Sequence, residues 1–392
     1  MTVTRLAVHE ASSHMLAGVS ALGSETVPLA KALGRVLARD VVSPVSLPPW
    51  DNASMDGFAV RANDVVGASV NSPRQLRVVD TIAAGSRGTR VVGPGEAARI
   101  MTGAPVPEGA DTVIRVEDTS SDATPGAVSI RDDRDAGRNV RARGEDVRAD
   151  SVVLTAGTPL APAHIGVLAS VGCASPLVHT RPRVAILATG DELVPVEHFD
   201  AVRAGERIVS SNSYSLEAAV LAAGGEPVPL GIAPDDPAGL ARCLRGAEGC
   251  DMVLTSGGVS VGDFDYTREV VGALGGELSL WRVKMRPGAP LGFGRLFGVP
   301  WLGLPGNPVS ALVTFELFAR PLLRMLGGHR RPHRRTIRVV LQEDVQLAAP
   351  LTHYLRAVLN DGAGGETFAS LTGPQSSGML TSMAAADALV VI

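Results

Sequence analysis

Cysteine is scarce in this chain. Its three residues, Cys173, Cys243 and Cys250, form no CxxC pair, which excludes a zinc ribbon or a disulfide framework as the basis of the fold. Aromatic residues make up only 4% against 45% hydrophobic residues, so the cores must be built from Val, Leu, Ala and Ile. No apolar run approaches the ~18–20 residues of a membrane span. The opening Met1-Thr-Val-Thr-Arg-Leu-Ala-Val8 lacks the continuous apolar core of a signal peptide. A net charge of −4 offers no general attraction to nucleic acid or to an anionic membrane. The expectation is a soluble, cytoplasmic protein with neither kind of partner.

What abounds is punctuation. Gly 44 and Pro 27 in 392 residues imply many turns and short elements, spread over about two to four domains. Residues 5–40 read as helical, with Leu29, Leu33, Val36 and Leu37 on one face. The prolines of Val41-Val-Ser-Pro-Val-Ser-Leu-Pro-Pro49 end that pattern. Across 49–146, short β-favouring runs (75–82, 96–101, 112–117) alternate with Gly, Pro and Asp turns, which predicts a β-rich domain. Residues 147–180, with a helix over 161–171, complete a first domain with residues 1–48 and leave 49–146 as an insertion. From 181 to 328 strands alternate with helices. Val184-Ala-Ile-Leu-Ala188, 228–232 and 251–255 are the strands; one helix is capped by Asn212 or Ser213 and ends at Gly224-Gly225. Such alternation predicts a parallel sheet with helices on both faces. Beyond the basic linker Gly327-Gly-His-Arg-Arg-Pro-His-Arg-Arg335, residues 332–392 read as a small β domain.

In a parallel sheet, ligands gather outside the carboxyl ends of the strands. Here those ends carry Gly190-Asp-Glu192, Asp235-Asp236 and Ser256-Gly-Gly-Val-Ser-Val-Gly-Asp-Phe-Asp-Tyr266. Gly257 and Gly258 permit a positive φ and a close approach of backbone to ligand, Ser260 and Gly262 extend the loop, and Asp263 and Asp265 open a helix. Loop N–H groups favour an anion, and carboxylates beside it suit a divalent cation such as Mg²⁺. A Gly-rich turn with acidic residues favoured by the helix dipole would look the same. Strand ends that bear carboxylates in succession favour a functional crevice. Arg282, Lys284 and Arg286 fall on one side of an extended segment, as they would on a solvated edge strand. In Leu304-Pro-Gly-Asn-Pro-Val-Ser310, Asn307 takes the N-cap position and Pro308 the first helical one. Elsewhere Asp51, Asn52, Ser54 and Asp56 crowd one loop, Thr102 follows a strand, and 139–146 ends in Glu145-Asp146. Arg356 and Gln375-Ser-Ser-Gly378 are the candidates in the tail. Turn chemistry or solvated charge accounts for each of these taken singly.

Taken together, the strings resemble the MoeA molybdopterin molybdenumtransferase family and the related E domain of gephyrin. The matching pieces are residues 52–58, 99–107, 143–146, 189–193, 256–266 and 304–310, in the family's order and over essentially the whole chain. The resemblance implies a multidomain α/β and β fold. Its parts are an α-rich, elongated N-terminal domain, the inserted β-rich domain, a three-layer α/β molybdopterin-binding domain with a parallel-type sheet, and a C-terminal β-barrel-like domain. It further implies a homodimer with its site between the chains, and insertion of molybdate into adenylylated molybdopterin with Mg²⁺-assisted release of AMP. Carried onto matching positions, Asp56, Thr102, Asp146, Glu192, Asp235 and Asp265 would be catalytic, with Glu192, Asp235 and Asp265 on the metal. Arg282, Arg286, Pro305, Pro308, Arg356 and Ser377 would bind substrate, joined by the loop residues Gly257, Gly258 and Ser260 and by Lys284. A molybdopterin adenylyltransferase and apo-molybdoenzymes are the implied partners. Arg282 and Arg286 stand where the family commonly has lysine, Phe58 where it commonly has tyrosine, and the order Ala53-Ser54 is reversed. The alternative is a molybdopterin-binding carrier or scaffold without turnover.

Overall fold

The computed structural model describes residues 6–120, 125–258, 264–347 and 350–392, with the side chains of Phe264, Asp265, Leu280 and Trp281 outside that description. The chain divides into two units, one of residues 40–155 with 166–173, the other of residues 1–39, 156–165 and 174–392. Among the described residues no helix is long and apolar enough to cross a membrane.

The larger unit is built on strands β1 (Arg183–Thr189), β2 (Glu226–Ala233), β3 (Met252–Ser256), β4 (Glu277–Arg282), β5 (Pro290–Leu296) and β6 (Val299–Leu304), in the order β2-β1-β3-β6-β5-β4. The first four in that order run parallel, as expected, while β5 is antiparallel to β6 and β4 to β5. Side chains alternate between the two faces, and both faces are covered. Val184, Ile186, Met252, Leu254, Leu302 and Leu304 pack with Leu216 and Val220 of helix Ser211–Ala223. On the other face Ala185, Leu187, Val253 and Trp301 meet Leu240 and Leu244 of helix Pro237–Leu244 and Val270 and Val271 of helix Phe264–Ala273. Helix Ser211–Ala223 is capped by position Ser210, not by Asn212 or Ser213, and ends at Gly224 with φ 94°.

The N-terminal segment departs from expectation. Of the described residues in the span 5–40 only Val8–Leu16 is α-helix, and its Ala11 and Met15 join the core of the α/β sheet. Ser24–Thr26 is instead a strand paired with Leu177–His179, and Val36 and Leu37 are buried through bridges to Pro159 and Val178. The reason is local. Gly18 and Gly34 sit at φ +74° and +75°, and Pro28 has no N–H to continue a helical ladder, so the apolar spacing is satisfied by tertiary pairing. The expected α-rich N-terminal domain is corrected to this extent.

In the tail, Thr352–Asp361 pairs with Thr367–Leu371 and Ala388–Val391, and its first residues pair in parallel with Met285–Arg286. The strand path is open among the described residues, so the expected barrel-like closure is not seen there.

The smaller unit is β-rich. Thr112–Arg115, Gly57–Val60, Glu96–Ile100, Arg74–Ile82, Ala127–Ile130 and Thr119–Ser120 form one sheet in that order. A methyl group at Gly57 would lie 2.0 Å from the Ile114 carbonyl oxygen, so this position between paired strands admits only glycine. Arg115 donates from Nε and Nη2 to Asp135, each at 2.7 Å, and the Asp135 side chain is 2% exposed. The Arg115 bond holds the Asp135 carboxyl down at about 2. Because this value is below that of the unfolded chain, the stabilisation is present above pH ~4 and is lost as pH falls towards 2. Asp135→Asn is therefore expected to lower stability at pH 7, and to flatten the decline between pH ~4 and ~2. Urea unfolding across that range checks both.

Candidate functional site

Thr189 ends β1 and Ser256 ends β3, and the glycines that follow bring these two strand ends together. Gly257 and Gly258 take φ +92° and +65°. A methyl group at Gly257 would lie 2.6 Å from the Thr189 carbonyl oxygen, and one at Gly258 2.9 Å from Thr267 Oγ1. Both glycines are thus fixed by backbone form and by space. Ser260 and Asp263 lie outside the described residues. Asp265 belongs to helix Phe264–Ala273, and its side chain lies outside the description too.

The acidic strand ends are organised by reciprocal bonds. The Asp191 N–H donates to Asp235 Oδ2 and the Asp235 N–H to Asp191 Oδ1, both at 3.2 Å. Asp236, next in sequence, caps helix Pro237–Leu244 by accepting from the Gly239 N–H at 2.7 Å. Glu192 and Asp235 are exposed and stand after neighbouring strands, β1 and β2. Among the described residues no group of three His, Cys, Asp or Glu side chains is placed to hold a metal by itself. Two exposed carboxylates still suit Mg²⁺, which keeps several waters and is usually held by one or two carboxylates plus substrate phosphates.

Asn212, which the sequence marks only as a helix cap, stands beside these strand ends. Its Nδ2 donates to Ser256 Oγ and to the Gly306 carbonyl, both at 2.8 Å, which joins the end of β3 to the Pro305–Pro308 turn. Gly306 accepts only, so the amide orientation is determined, and Oδ1 is left buried without a donor among the described residues, as is Thr189 Oγ1. Buried polar atoms find partners, and here a ligand can supply them. The sequence signal was weak, since Asn beside a helix start reads first as a cap.

A cavity of about 840 Å³ lies against the same turn. Arg286, Asn307, Ser310, Arg356 and Ser377 are among its lining residues. Val283 and Met285 are buried and Lys284 and Arg286 exposed, but the Met285 N–H donates to the Val283 carbonyl at 3.0 Å, so the chain bends at Lys284 instead of running extended as expected, and of the three basic residues only Arg286 lines the cavity. Pro305 is buried and Pro308 begins helix Pro308–Thr314. Asn307 occupies the N-cap position without a capping side-chain bond, and the Val309 N–H donates instead to the Ser377 carbonyl at 3.1 Å. Arg356 is fully buried and donates from all three guanidinium nitrogens to protein oxygens.

In the smaller unit the structure unites Asp56 with Thr102. The N–H and Oγ1 of Thr102 both donate to Asp56 Oδ1 at 2.7 Å, and these bonds, the backbone one foremost, hold the carboxyl below its ordinary value. Asp146 is exposed at the end of a loop whose Val140–Arg141 pairs with Asn52–Ala53, and the Arg143 N–H donates to Asp51 Oδ1 at 2.6 Å.

Comparison with known proteins gives matches to family models over three segments. They are described as MoeA N-terminal region (domain I and II) over residues 6–172, probable molybdopterin binding domain over 185–325, and MoeA C-terminal region (domain IV) over 338–392. Molybdopterin molybdenumtransferase 2 of Mycobacterium tuberculosis is 42% identical over 373 residues, 94% of this chain and 90% of that one. The molybdopterin molybdenumtransferase of Nostoc sp. is 38% identical over 374 residues, 94% and 85% of the two chains. The crystal structure of the molybdopterin biosynthesis moeA protein from Pyrococcus horikoshii OT3 matches with a TM-score of 0.84 at 29% identity, over 99% of this chain and 95% of that one.

Thr102→Val removes one of the two donors to Asp56 and leaves the backbone N–H. The Asp56 carboxyl is then expected to titrate higher than in the parent, while staying below the value of a free aspartate. A ¹³C carboxyl titration reads this directly, and an unmoved curve would mean that the hydroxyl contributes nothing.

Proposed function

Since the chain belongs to the MoeA family and acts in molybdenum cofactor biosynthesis as a molybdopterin molybdenumtransferase, we propose that it inserts molybdate into adenylylated molybdopterin with Mg²⁺-assisted release of AMP. The observation that carries this reading is the cavity beside the Pro305–Pro308 turn, lined by the exposed Arg286. Molybdate is a tetrahedral dianion, and a guanidinium fork suits its oxygens better than a point charge does. The free acceptors Thr189 Oγ1 and Asn212 Oδ1, next to Gly257 and Gly258, suit the N–H groups of a pterin.

Breaking the anhydride to AMP places negative charge on phosphate oxygens, and an enzyme stabilises that charge with positioned cations and donors. Glu192 and Asp235, with Asp265, would hold Mg²⁺, which supplies charge neutralisation at the diphosphate. In the homodimer, Asp56, Thr102 and Asp146 would close over the substrate from the second subunit. A molybdopterin adenylyltransferase would supply the substrate and apo-molybdoenzymes would take the product, all in the cytoplasm.

The test is AMP release from adenylylated molybdopterin with Mg²⁺ and micromolar molybdate, coupled to activation of an apo-molybdoenzyme. Arg286→Gln is expected to raise KM for molybdate by ~10–100-fold, the worth of a charge-assisted hydrogen bond, with pterin affinity little changed. Glu192→Gln should lower turnover and its response to Mg²⁺ with little loss of thermal stability. Tight pterin binding without molybdate-dependent AMP release would favour a carrier or scaffold instead.

A further inference from the structure

Glu192 lies in the turn that follows β1, and its carboxylate folds back over Gly190. A methyl group at Gly190 would stand 2.6 Å from Glu192 Oε2 and 2.7 Å from Oε1, so the carboxylate occupies the space that a Cβ there would need. The direction of the Glu192 side chain is set by the two peptide units that flank it, since φ and ψ are the soft torsions of the backbone. The unit after it is held by main chain. The Glu192 carbonyl accepts from the Ile208 N–H at 2.9 Å, and the Leu193 N–H donates to the Gly190 carbonyl at 3.1 Å. The unit before it is held by a side chain, because Arg207 Nη1 donates to the Asp191 carbonyl. Arg207 and Ile208 thus grip both sides of Glu192 from one returning limb, whose Ile208–Val209 pairs in parallel with Leu193–Val194.

Arg207 is exposed and has carboxylates close to its point of attachment. Asp191 is bonded reciprocally to Asp235, and Glu192 is next in sequence. Among the described residues no carboxylate pairs with this guanidinium all the same. Its bond acts on the backbone of the acidic turn instead of neutralising the acids.

We propose that Arg207 is a positioning residue for Glu192. By fixing the Asp191 carbonyl it keeps the Glu192 carboxylate over Gly190, on the strand end that Asp191 and Asp235 tie together, and presents it to a divalent cation. The inference rests on the reading of Glu192 as a metal ligand. The charge of Arg207 and its hydrogen bond pull in opposite directions on that cation. A guanidinium beside the site repels a dication, so losing the charge alone would tighten binding. Losing the hold on the turn loosens it.

The test is a Mn²⁺ titration of the full chain at constant AMP, with free Mn²⁺ read from its electron paramagnetic resonance signal. Mn²⁺ takes the place of Mg²⁺ among oxygen ligands, and AMP supplies the phosphate that completes its shell. Arg207→Met removes donor and charge, and the Kd for Mn²⁺ should rise about threefold to tenfold, the worth of one hydrogen bond. Arg207→Lys restores both and should bind within about twofold of the parent. Glu192→Gln should weaken binding by itself, and Arg207→Met should add nothing in that background, because the two residues act as one unit. Mn²⁺ bound by Arg207→Met as tightly as by the parent, or more tightly, overturns the inference, since charge alone would then be felt. An undiminished effect of Arg207→Met beside Glu192→Gln overturns it as well. A parent that binds no Mn²⁺, or Glu192→Gln that binds it like the parent, overturns the metal reading of Glu192 and this role together.

Discussion

Strand β3 is paired in parallel on both sides, with β1 and with β6, and all five of its residues are buried. A strand enclosed in this way has no side chain to offer a ligand from either face. Whatever polar chemistry the sheet supports must emerge where the ladder stops, and Thr189, Asp235 and Gly257 stand at those ends. The same enclosure makes glycine obligatory there. With helices packed on both faces, the loops leaving β1 and β3 come so close that a methyl group at Gly257 would lie 2.6 Å from the Thr189 carbonyl oxygen. Asn212 then acts as a tie across the convergence, since its single amide holds both the end of β3 and the Pro305–Pro308 turn.

Much of this was legible in the sequence, and the limits follow a pattern. The strands around 184–188 and 252–256 could be read because a short apolar run bounded by glycine or charge is a local signal. The small β-rich unit was legible for the same reason. The helix expected over 5–40 failed because the spacing of Val36 and Leu37 is equally served by bridges to residues more than a hundred positions away, which no window can show. Asn212 was missed on similar grounds, its acceptors lying 44 and 94 residues further along. The glycines at 257 and 258 were found because a glycine reports a backbone requirement whatever its partners are.

Arginine shows the limit most sharply, because residue type fixes the donors and says nothing of where they go. Arg115 spends its fork on Asp135. Arg356 spends its donors on carbonyls and a hydroxyl, and Arg286 is left facing open space in the cavity wall. A run of three basic residues at alternate positions gave no means of telling Arg286 from Arg282 or Lys284. What separates them is seen only in three dimensions, where Arg286 is the one of the three that lines the cavity.

The difference between Arg115 and Arg356 bears on the electrostatics of that cavity. The Arg115–Asp135 pair, buried at the carboxylate and half-buried at the arginine, is internally neutral, and its geometry is maintained by the carboxylate. A guanidinium held by carbonyl dipoles has its directional bonds satisfied while its net charge remains, and burial pulls its proton affinity down accordingly. Had a carboxylate paired with Arg356, the turn would be equally well held, but the wall behind it would carry no field. Carbonyls keep the shape and leave the charge, and in a medium of low dielectric that charge acts over a longer distance than it would in water.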